Sequence, residues 1–428
     1  MRNTIALLLA GGVGSRLSLL AQVRAKPAVT FGGNYRIIDF TLSNAANSGI
    51  ENVGILTQYK PYSLMRHLGT GAAWDFIGRI RGAKILPPKT GWKESDWYRG
   101  TADAVAQNLD YLDRFQSDYV LILSGDHIYY MNYAELIDFH IAHHAKMTIA
   151  TRIVPLEMAP EFGIAQVDEN YKIINWEEKP QIPKSNLASM GIYLFSTDFL
   201  RLCLEKENMD GYDFGKNVIP WILRNHGAHA FPFDGYWQDV GTIKAYWDTN
   251  MDLLRPDSGL DIDKWMVRTN VEEEGMPGDR MATFFATTSK VTNSIISRDC
   301  QIAGEVMNSI ISPGVVVEPG AVIRDSVIMH DAVIGKNAVI DQAIIDKNCV
   351  IGEKVMVGLG DETMPNKDFP KHLNSGLVLI GKNACVKPGI RLGRNSLVYY
   401  NTTDSDFTQM EYPAGATIYA KFNSQIPL

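Results

Sequence analysis

The chain has 428 residues, 46% of them hydrophobic, which is enough for two domains with cores of their own. Its 41 basic and 48 acidic residues leave a net charge of -7, a balance that argues against a nucleic-acid binder. Four scattered cysteines (Cys203, Cys300, Cys349, Cys385) lack metal-ligand spacing, the N-terminal apolar run is too short for a signal peptide, and no stretch reaches transmembrane length. The composition therefore reads as a soluble, cytoplasmic protein with reduced cysteines and with neither nucleic acid nor membrane as partner.

The first element is Ile5-Ala-Leu-Leu-Leu9, five apolar residues without polar alternation, as expected of a parallel-sheet strand buried on both faces. Ala10 leads into Gly11, Gly12 and Gly14, a turn where backbone can approach a ligand with no Cβ in the way. A helix is expected next, its free N–H groups aimed at the turn and favouring phosphate. Arg16, and Lys26 in Arg24-Ala-Lys-Pro27, add positive charge beside it. A tight turn with surface charges would explain Gly-x-Gly alone; two basic residues just downstream favour a phosphate site. It is not a P-loop, since no Gly-Lys-Ser/Thr closes it, and Gly-Gly-x-Gly-x-Arg does not fit the dinucleotide fingerprint.

Strands are expected at Val53–Thr57, Tyr119–Ser124 and Met147–Thr151, and helices at Ile38–Ser48, Ala102–Arg114 and Tyr133–His144. That alternation implies an α/β domain with a mainly parallel, Rossmann-like sheet over residues 1–254, binding ligands at the strands' C-terminal edge. Residues 255–285, with Asp257-Ser-Gly, Glu272-Glu-Glu-Gly and Met276-Pro-Gly, read as a linker. Over 286–428 the period changes. Val315, Ala321, Val327, Val333, Val339, Ile345, Ile351 and Val357 recur at every sixth position, and the register resumes at Ile380, Val386, Leu392 and Val398. This predicts a left-handed parallel β-helix of three hexapeptides per coil, with roughly 358–378 as an excursion.

Several constellations carry chemistry. Asp126 ends a buried-type strand in Ser124-Gly-Asp-His-Ile-Tyr129, where it either holds a divalent ion against phosphate or caps the next helix. Asp239, in Tyr236-Trp-Gln-Asp-Val-Gly-Thr242, is the second candidate ligand. Trp97-Tyr-Arg-Gly-Thr-Ala-Asp103 is a glycine turn opening a helix, suited to nucleotide contact through Gly100 and Thr101. Gln58 is either a polar group aimed at the nucleotide or a solvated loop residue. In Trp176-Glu-Glu-Lys-Pro180 the proline is expected to hold Lys179 extended, presenting its ammonium to a phosphate. His140, His143 and His144 lack a cysteine or acid to complete a zinc set and read as a solvated helix face. Hexapeptide solenoids often carry acyltransferase activity; His330, the histidine inside the main register, would be its catalytic candidate, but no partner is evident.

Leu9-Ala-Gly-Gly-x-Gly-x-Arg16, Arg24-Ala-Lys-Pro-Ala28 and Arg36-Ile-Ile-Asp-Phe-x-Leu-Ser-Asn44 closely resemble the sugar-nucleotide pyrophosphorylases. Within them, the chain is most similar to the bacterial glucose-1-phosphate adenylyltransferase (ADP-glucose pyrophosphorylase) branch. The resemblance implies a nucleotidyltransferase domain followed by the solenoid, ATP and α-D-glucose 1-phosphate as substrates, and a homo-oligomer, usually a tetramer. It implies Mg²⁺ on Asp126 and Asp239, and catalytic roles for Arg16, Lys26 and Asp126. Leu9, Ala10, Gly11, Gly12, Gln58, Gly100 and Thr101 would bind the nucleotide. Tyr98, Gly163, Glu178, Lys179 and Ser189 would form the sugar-phosphate pocket, with Glu178 on a sugar hydroxyl and Lys179 on the phosphate. Arg24 and Arg36 would contact a phosphorylated effector. Ser18, Val23 and Thr30 stand where bacterial relatives often carry lysine, lysine and histidine, so weak or absent activation by fructose 1,6-bisphosphate is expected. A relative using UTP, dTTP or mannose phosphate is the nearest alternative.

Overall fold

The computed structural model describes residues 3–12, 14–79, 81–89, 97–205, 211–271 and 280–421. These gather into two compact units, each built from several segments. The first comprises Met1–Gly12, Ile38–Trp237 and Ile262–Arg268; the second comprises Val13–Ile37, Gln238–Asp261 and Thr269–Leu428. Residues 272–279 of the expected linker lie outside the described residues.

The first unit is a nine-stranded sheet, counted among the described residues. Its strands are β1 (Thr4–Leu9), β2 (Asn52–Leu56), β3 (Gly82–Leu86), β4 (Tyr119–Ser124), β5 (Met147–Ile153), β6 (Gly163–Val167), β7 (Ile173–Glu178), β8 (Leu187–Ser196) and β9 (His229–Pro232). The order β7-β6-β8-β4-β1-β2-β3, with β5 paired to both β8 and β9, makes the sheet mixed. The pairs of β1 with β2 and β4, of β2 with β3 and of β5 with β9 are parallel, while β8 runs antiparallel to β4, β5 and β6. Ile5, Ala6, Leu7 and Leu8 are at most 1% exposed, so β1 is buried on both faces as its composition requires. Each such leucine contributes about 1.5–3 kcal/mol, an upper figure because the unfolded chain already hides some surface. Register levels the strand ends: Leu9 pairs with both Leu56 and Ser124. The segments after β1, β2 and β4 therefore leave the sheet at one edge, and they carry Gly11, Gln58 and Asp126.

Three expected helices are shorter than their patterns suggest. After the glycine turn only a 3₁₀ turn (Ser15–Leu17) and a single helical turn (Leu19–Gln22) form, because Ser18 between them takes φ +49° and ψ -130°. No continuous helix dipole faces the turn. The predicted helix over 102–114 splits into Thr101–Ala106 and Leu109–Asp113. At the break, the Asn108 side chain donates to Ala104 O and to the Tyr98 hydroxyl, both at 2.9 Å, and Asn108 leaves the helical path. The helix Tyr133–Ala142 ends before His143, and His144 takes φ +48°, so His140 and His144 share no helix face. His140 is 1% exposed, bonded to Thr148 Oγ1 at 2.8 Å, and burial pushes its pKa down to about 4. It is a neutral core residue, not part of a solvated face.

In the second unit the solenoid has three parallel sheets, of six, seven and seven strands among the described residues, consistent with a left-handed β-helix. The pairs Val316–Val333–Val350 and Val322–Val339–Met356 recur every 17 residues, not 18. One position is dropped in each of these coils, and in a period-two backbone a single-residue slip exchanges the buried and outer faces. Val333 and Val339, in phase with a strict count of six, are consequently only half-buried, and Ile334 and Ile340 beside them are fully buried. Beyond the excursion, which separates Met356–Leu359 from Val378–Ile380, the expected Ile380, Val386, Leu392 and Val398 all point into the core. Among the described residues no helix is long and apolar enough to cross a membrane, and the four cysteines are free thiols.

Candidate active site

In the first unit, the tight turn after β4 sets Asp126 at the sheet edge. Gly125 N donates to Leu9 O at 3.1 Å, and a Cβ there would meet Leu8 Cδ2 at 2.7 Å, so glycine lets the turn lie against β1. The Asp126 carboxylate accepts from Ser124 Oγ and lies 3.4 Å from His127 Nε2. Its side chain is 31% exposed, accessible to a ligand yet held in place.

Gln58 and Tyr98 form one clamp. Gln58 Oε1 accepts from Tyr98 N at 2.6 Å, and Gln58 Nε2 donates to Tyr98 O at 3.3 Å. The Tyr98 ring is buried; its hydroxyl donates to Leu86 O at 2.8 Å, and burial raises its pKa to about 12. Both residues thus shape the loop ahead of Gly100. A Cβ on Gly100 would come within 2.3 Å of Tyr212 O, and Thr101 Oγ1 donates to Asp213 Oδ2 while accepting from Phe214 N. Arg99 lies 3.7 Å over the Tyr212 ring and pairs with Asp103 at 3.2 Å.

Glu178 closes β7 in a half-buried pocket. A Cβ on Gly163 or Gly215 would approach its Oε2 to 2.8 or 2.3 Å, so two glycines make room for this carboxylate. Burial first, then the nearby Asp213, raise its pKa; Lys179 and Lys216 oppose the rise. The exposed Lys179 is not extended as the proline suggested. It takes φ +49°, and its N–H donates to Phe162 O at 3.0 Å, which turns the chain where the β6–β7 ladder ends at Gly163–Glu178. Such a conformation costs a non-glycine residue about 1–3 kcal/mol. Ser189 is buried, and its Oγ accepts from Gly191 N at 3.2 Å. Asp213, Lys216 and Tyr193 also surround Glu178. No spacing in the sequence signalled them; Asp213 is recognisable only afterwards, as the cap accepting from Lys216 N.

The second unit gathers Arg16, Lys26 and Asp239. Lys26 Nζ lies 3.0 Å from Asp239 Oδ1, and Arg16 Nη2 lies 3.8 Å from Oδ2. The Lys26 side chain is 8% exposed and that of Asp239 16%, whereas Arg16 is 44% exposed. Gly14 has φ +66°, and a Cβ there would meet Ala21 Cβ at 2.9 Å and Lys26 Cβ at 3.1 Å, so its glycine is a requirement of the turn. In the first unit a Cβ on Gly12 would meet no protein atom, and one on Gly11 would make only ordinary contacts.

Arg24 and Arg36 both have internal partners. Arg24 Nη2 bridges the Asp346 carboxylate oxygens at 2.9 and 2.8 Å, both side chains being nearly inaccessible. Arg36 Nη1 donates to Ala28 O at 2.9 Å and to Thr30 Oγ1 at 3.4 Å. His330 is buried, and burial, reinforced by Lys347 and neighbouring arginines, pushes its pKa well down. It is a neutral interior group rather than an accessible acyl-transfer base.

Comparison with known proteins accounts for both parts of the chain. Residues 5–255 match the nucleotidyl transferase family, and residues 281–395 match a GlmU-like C-terminal hexapeptide family. The chain is 48% identical to a glucose-1-phosphate adenylyltransferase of Thermosipho melanesiensis over 93% of its own length and 96% of the relative's. It is 47% identical to that of Thermotoga maritima and 43% identical to that of Acetivibrio thermocellus, each over 97% of this chain and 98% of the relative. Identity of this order, carried through the sheet and the solenoid alike, means that the chain belongs to the glucose-1-phosphate adenylyltransferase family of nucleotidyl transferases.

Proposed function

We propose that the chain transfers the adenylyl group of ATP to α-D-glucose 1-phosphate, releasing pyrophosphate and forming ADP-glucose in the cytoplasm. The observation that carries this reading is the pair of cations, Arg16 and Lys26, gathered on Asp239 beside the glycine turn. The sugar phosphate has a second pKa near 6, so it attacks as an anion and needs no general base. A phosphate oxygen of the sugar bonds to the α-phosphorus of ATP, and the bond to the bridging oxygen of the departing pyrophosphate breaks in line, with inversion. What the protein supplies is alignment and compensation of charge between two polyanions.

Arg16 and Lys26 take up charge on the departing pyrophosphate. Leu9, Ala10, Gly11, Gly12, Gly100 and Thr101 offer backbone and small side chains to the nucleotide, and Gln58 supports it by holding the Tyr98 backbone. Lys179 fixes the attacking phosphate, Glu178 accepts from a sugar hydroxyl, and Gly163 and Ser189 complete that pocket. Nucleotidyltransferases generally use a divalent metal ion. The half-accessible carboxylates of Asp126 and Asp239 are hard oxygen donors suited to Mg²⁺, which would neutralise phosphate charge when bound. Regulation follows from the same residues: Arg24 is already matched by Asp346, and Val23 and Thr30 bring no positive charge. Activation by fructose 1,6-bisphosphate is accordingly weak or absent.

We also propose a homo-oligomer, most consistently a tetramer. Among the described residues, strands of the first solenoid coil pair on one side only and carry the exposed Phe284, Phe285 and Val291. Light scattering at micromolar concentration should give a multiple of the chain mass; a single-chain mass alone refutes the assembly.

The reaction is tested by pyrophosphate release with glucose 1-phosphate and each of ATP, GTP, UTP and dTTP, with millimolar fructose 1,6-bisphosphate as a further arm at subsaturating ATP. ATP should be preferred and the bisphosphate should change the rate little; preference for a pyrimidine triphosphate overturns the assignment. Asp126→Asn should lower kcat by at least ~10²-fold, roughly 2.7 kcal/mol, with folding retained; near-normal kcat at saturating Mg²⁺ removes Asp126 from the metal site. Lys179→Ala should raise KM for glucose 1-phosphate about 30- to 150-fold, the worth of one charge-assisted contact, and leave KM for ATP nearly unchanged. An equal rise in both would move Lys179 to the nucleotide site.

A further inference from the structure

Asp346 stands at the end of the solenoid strand Ala343–Ile345, and its side chain is wholly buried. Its oxygens are committed to Arg24 Nη2, at 2.9 and 2.8 Å, and Oδ1 also accepts from Lys347 N at 2.7 Å. The solenoid has an extensive apolar core of its own, running from Cys300 to Ile418. The segment bearing Arg24 is buried but has little regular structure. It contains a 3₁₀ turn, a single helical turn, a second 3₁₀ turn at Lys26–Ala28 and a two-residue hairpin. Lys26 follows Arg24 by two residues, so the backbone between them reaches at most about 7 Å. A guanidinium anchored at Asp346 therefore holds the Lys26 backbone close to that anchor.

Asp239, which pairs with Lys26, is tied to the same solenoid. Asp239 precedes Thr242, whose Oγ1 accepts from Ala245 N at 3.1 Å and caps the helix Ile243–Asp252. From that helix Trp247 Nε1 donates to Asp325 O at 2.8 Å, Tyr246 donates to Thr30 O at 2.6 Å, and Asn250 Oδ1 accepts from Gly32 N at 2.9 Å. The Lys26–Asp239 pair is thus closed into a ring whose rigid side is the solenoid: Asp346 to Arg24 to Lys26 on one arm, Asp325 to Trp247 to Asp239 on the other.

We propose that Asp346 is a positioning residue for the adenylyl transfer, acting through Arg24 to hold Lys26 where charge develops on the leaving pyrophosphate. This rests on the role given to Lys26 above. Loss of the carboxylate frees the Arg24 arm, and a displacement of the ammonium by about 1 Å is enough to cost up to ~10²-fold in rate.

The test compares Asp346→Asn, Arg24→Gln and their double variant with Lys26→Ala, all in the full-length protein. Asp331→Asn serves as control, because this solenoid residue makes an equally close pair with Arg280, at 2.9 and 3.0 Å, rather than with the turn segment. Asp346→Asn should lower kcat roughly 10- to 100-fold with KM for glucose 1-phosphate within about twofold of the parent. The double variant should be no slower than either single one, as expected if both act along one path, and Asp331→Asn should keep the parental kcat. Should Asp346→Asn fail to fold, Arg24→Lys, which keeps the charge but shortens its reach, should show an intermediate loss. A normal kcat in the folded Asp346→Asn or Arg24→Lys protein, beside a slow Lys26→Ala, overturns the positioning role and leaves the Lys26 assignment standing. A normal kcat in Lys26→Ala overturns both.

Discussion

A buried ion pair must recover the desolvation of two charges, and the Arg24–Asp346 pair does so with one guanidinium nitrogen bridging both carboxylate oxygens. Such pairs add little net stability over a well-packed apolar contact, yet removing one partner costs about 3–5 kcal/mol because the other charge is stranded. What the pair secures is specificity of position. Residues 14–37 contain short turns and one small hairpin, too little regular structure to hold a shape unaided. Tied to Asp346 at Arg24 and to the helix Ile243–Asp252 at Thr30 and Gly32, they become part of the solenoid's unit.

The same segment brings the cations to Asp239. Placing Lys26 3.0 Å from that carboxylate with only 8% exposure strengthens the attraction relative to water and lets one acid hold a dense patch of positive charge. Arg16, nearly half exposed, stays accessible to a substrate. In the first unit the logic is steric. Gly163 and Gly215 clear space for Glu178, Gly125 lets the Asp126 turn lie on β1, and the left-handed Lys179 ends the ladder in a sharp turn. Strain of this kind recurs where a side chain must be aimed rather than merely packed.

The solenoid shows how far a period can be read. Repetition of branched apolar residues identified a three-sided β-helix and the return of its register at Ile380. In the coils through Val333 and Val339 the count of six failed by one residue, because the 17-residue spacing of paired strands there drops a position. Ile334 and Ile340 therefore stand where a strict count put Val333 and Val339. Burial on this scale follows the pairing register, and pairing is a long-range property.

Local chemistry was legible in the chain itself. Uninterrupted apolar runs specified doubly buried strands, the six-residue recurrence specified a solenoid, and glycine turns with nearby charges marked Gly14, Arg16, Lys26 and Asp126 as candidates, whereas Glu178 was singled out only by the family resemblance. These depend on near neighbours in sequence, for which spacing is informative. Tertiary structure alone decided which distant residues share a surrounding. Asp346 comes to Arg24, Asp239 to Lys26, and Asp213 to Glu178 only when chain separated by tens to hundreds of residues is folded together. It also decided that His140 is a neutral core group and that Gln58 serves Tyr98. Burial and partnership, unlike period, are not written at the position that they change.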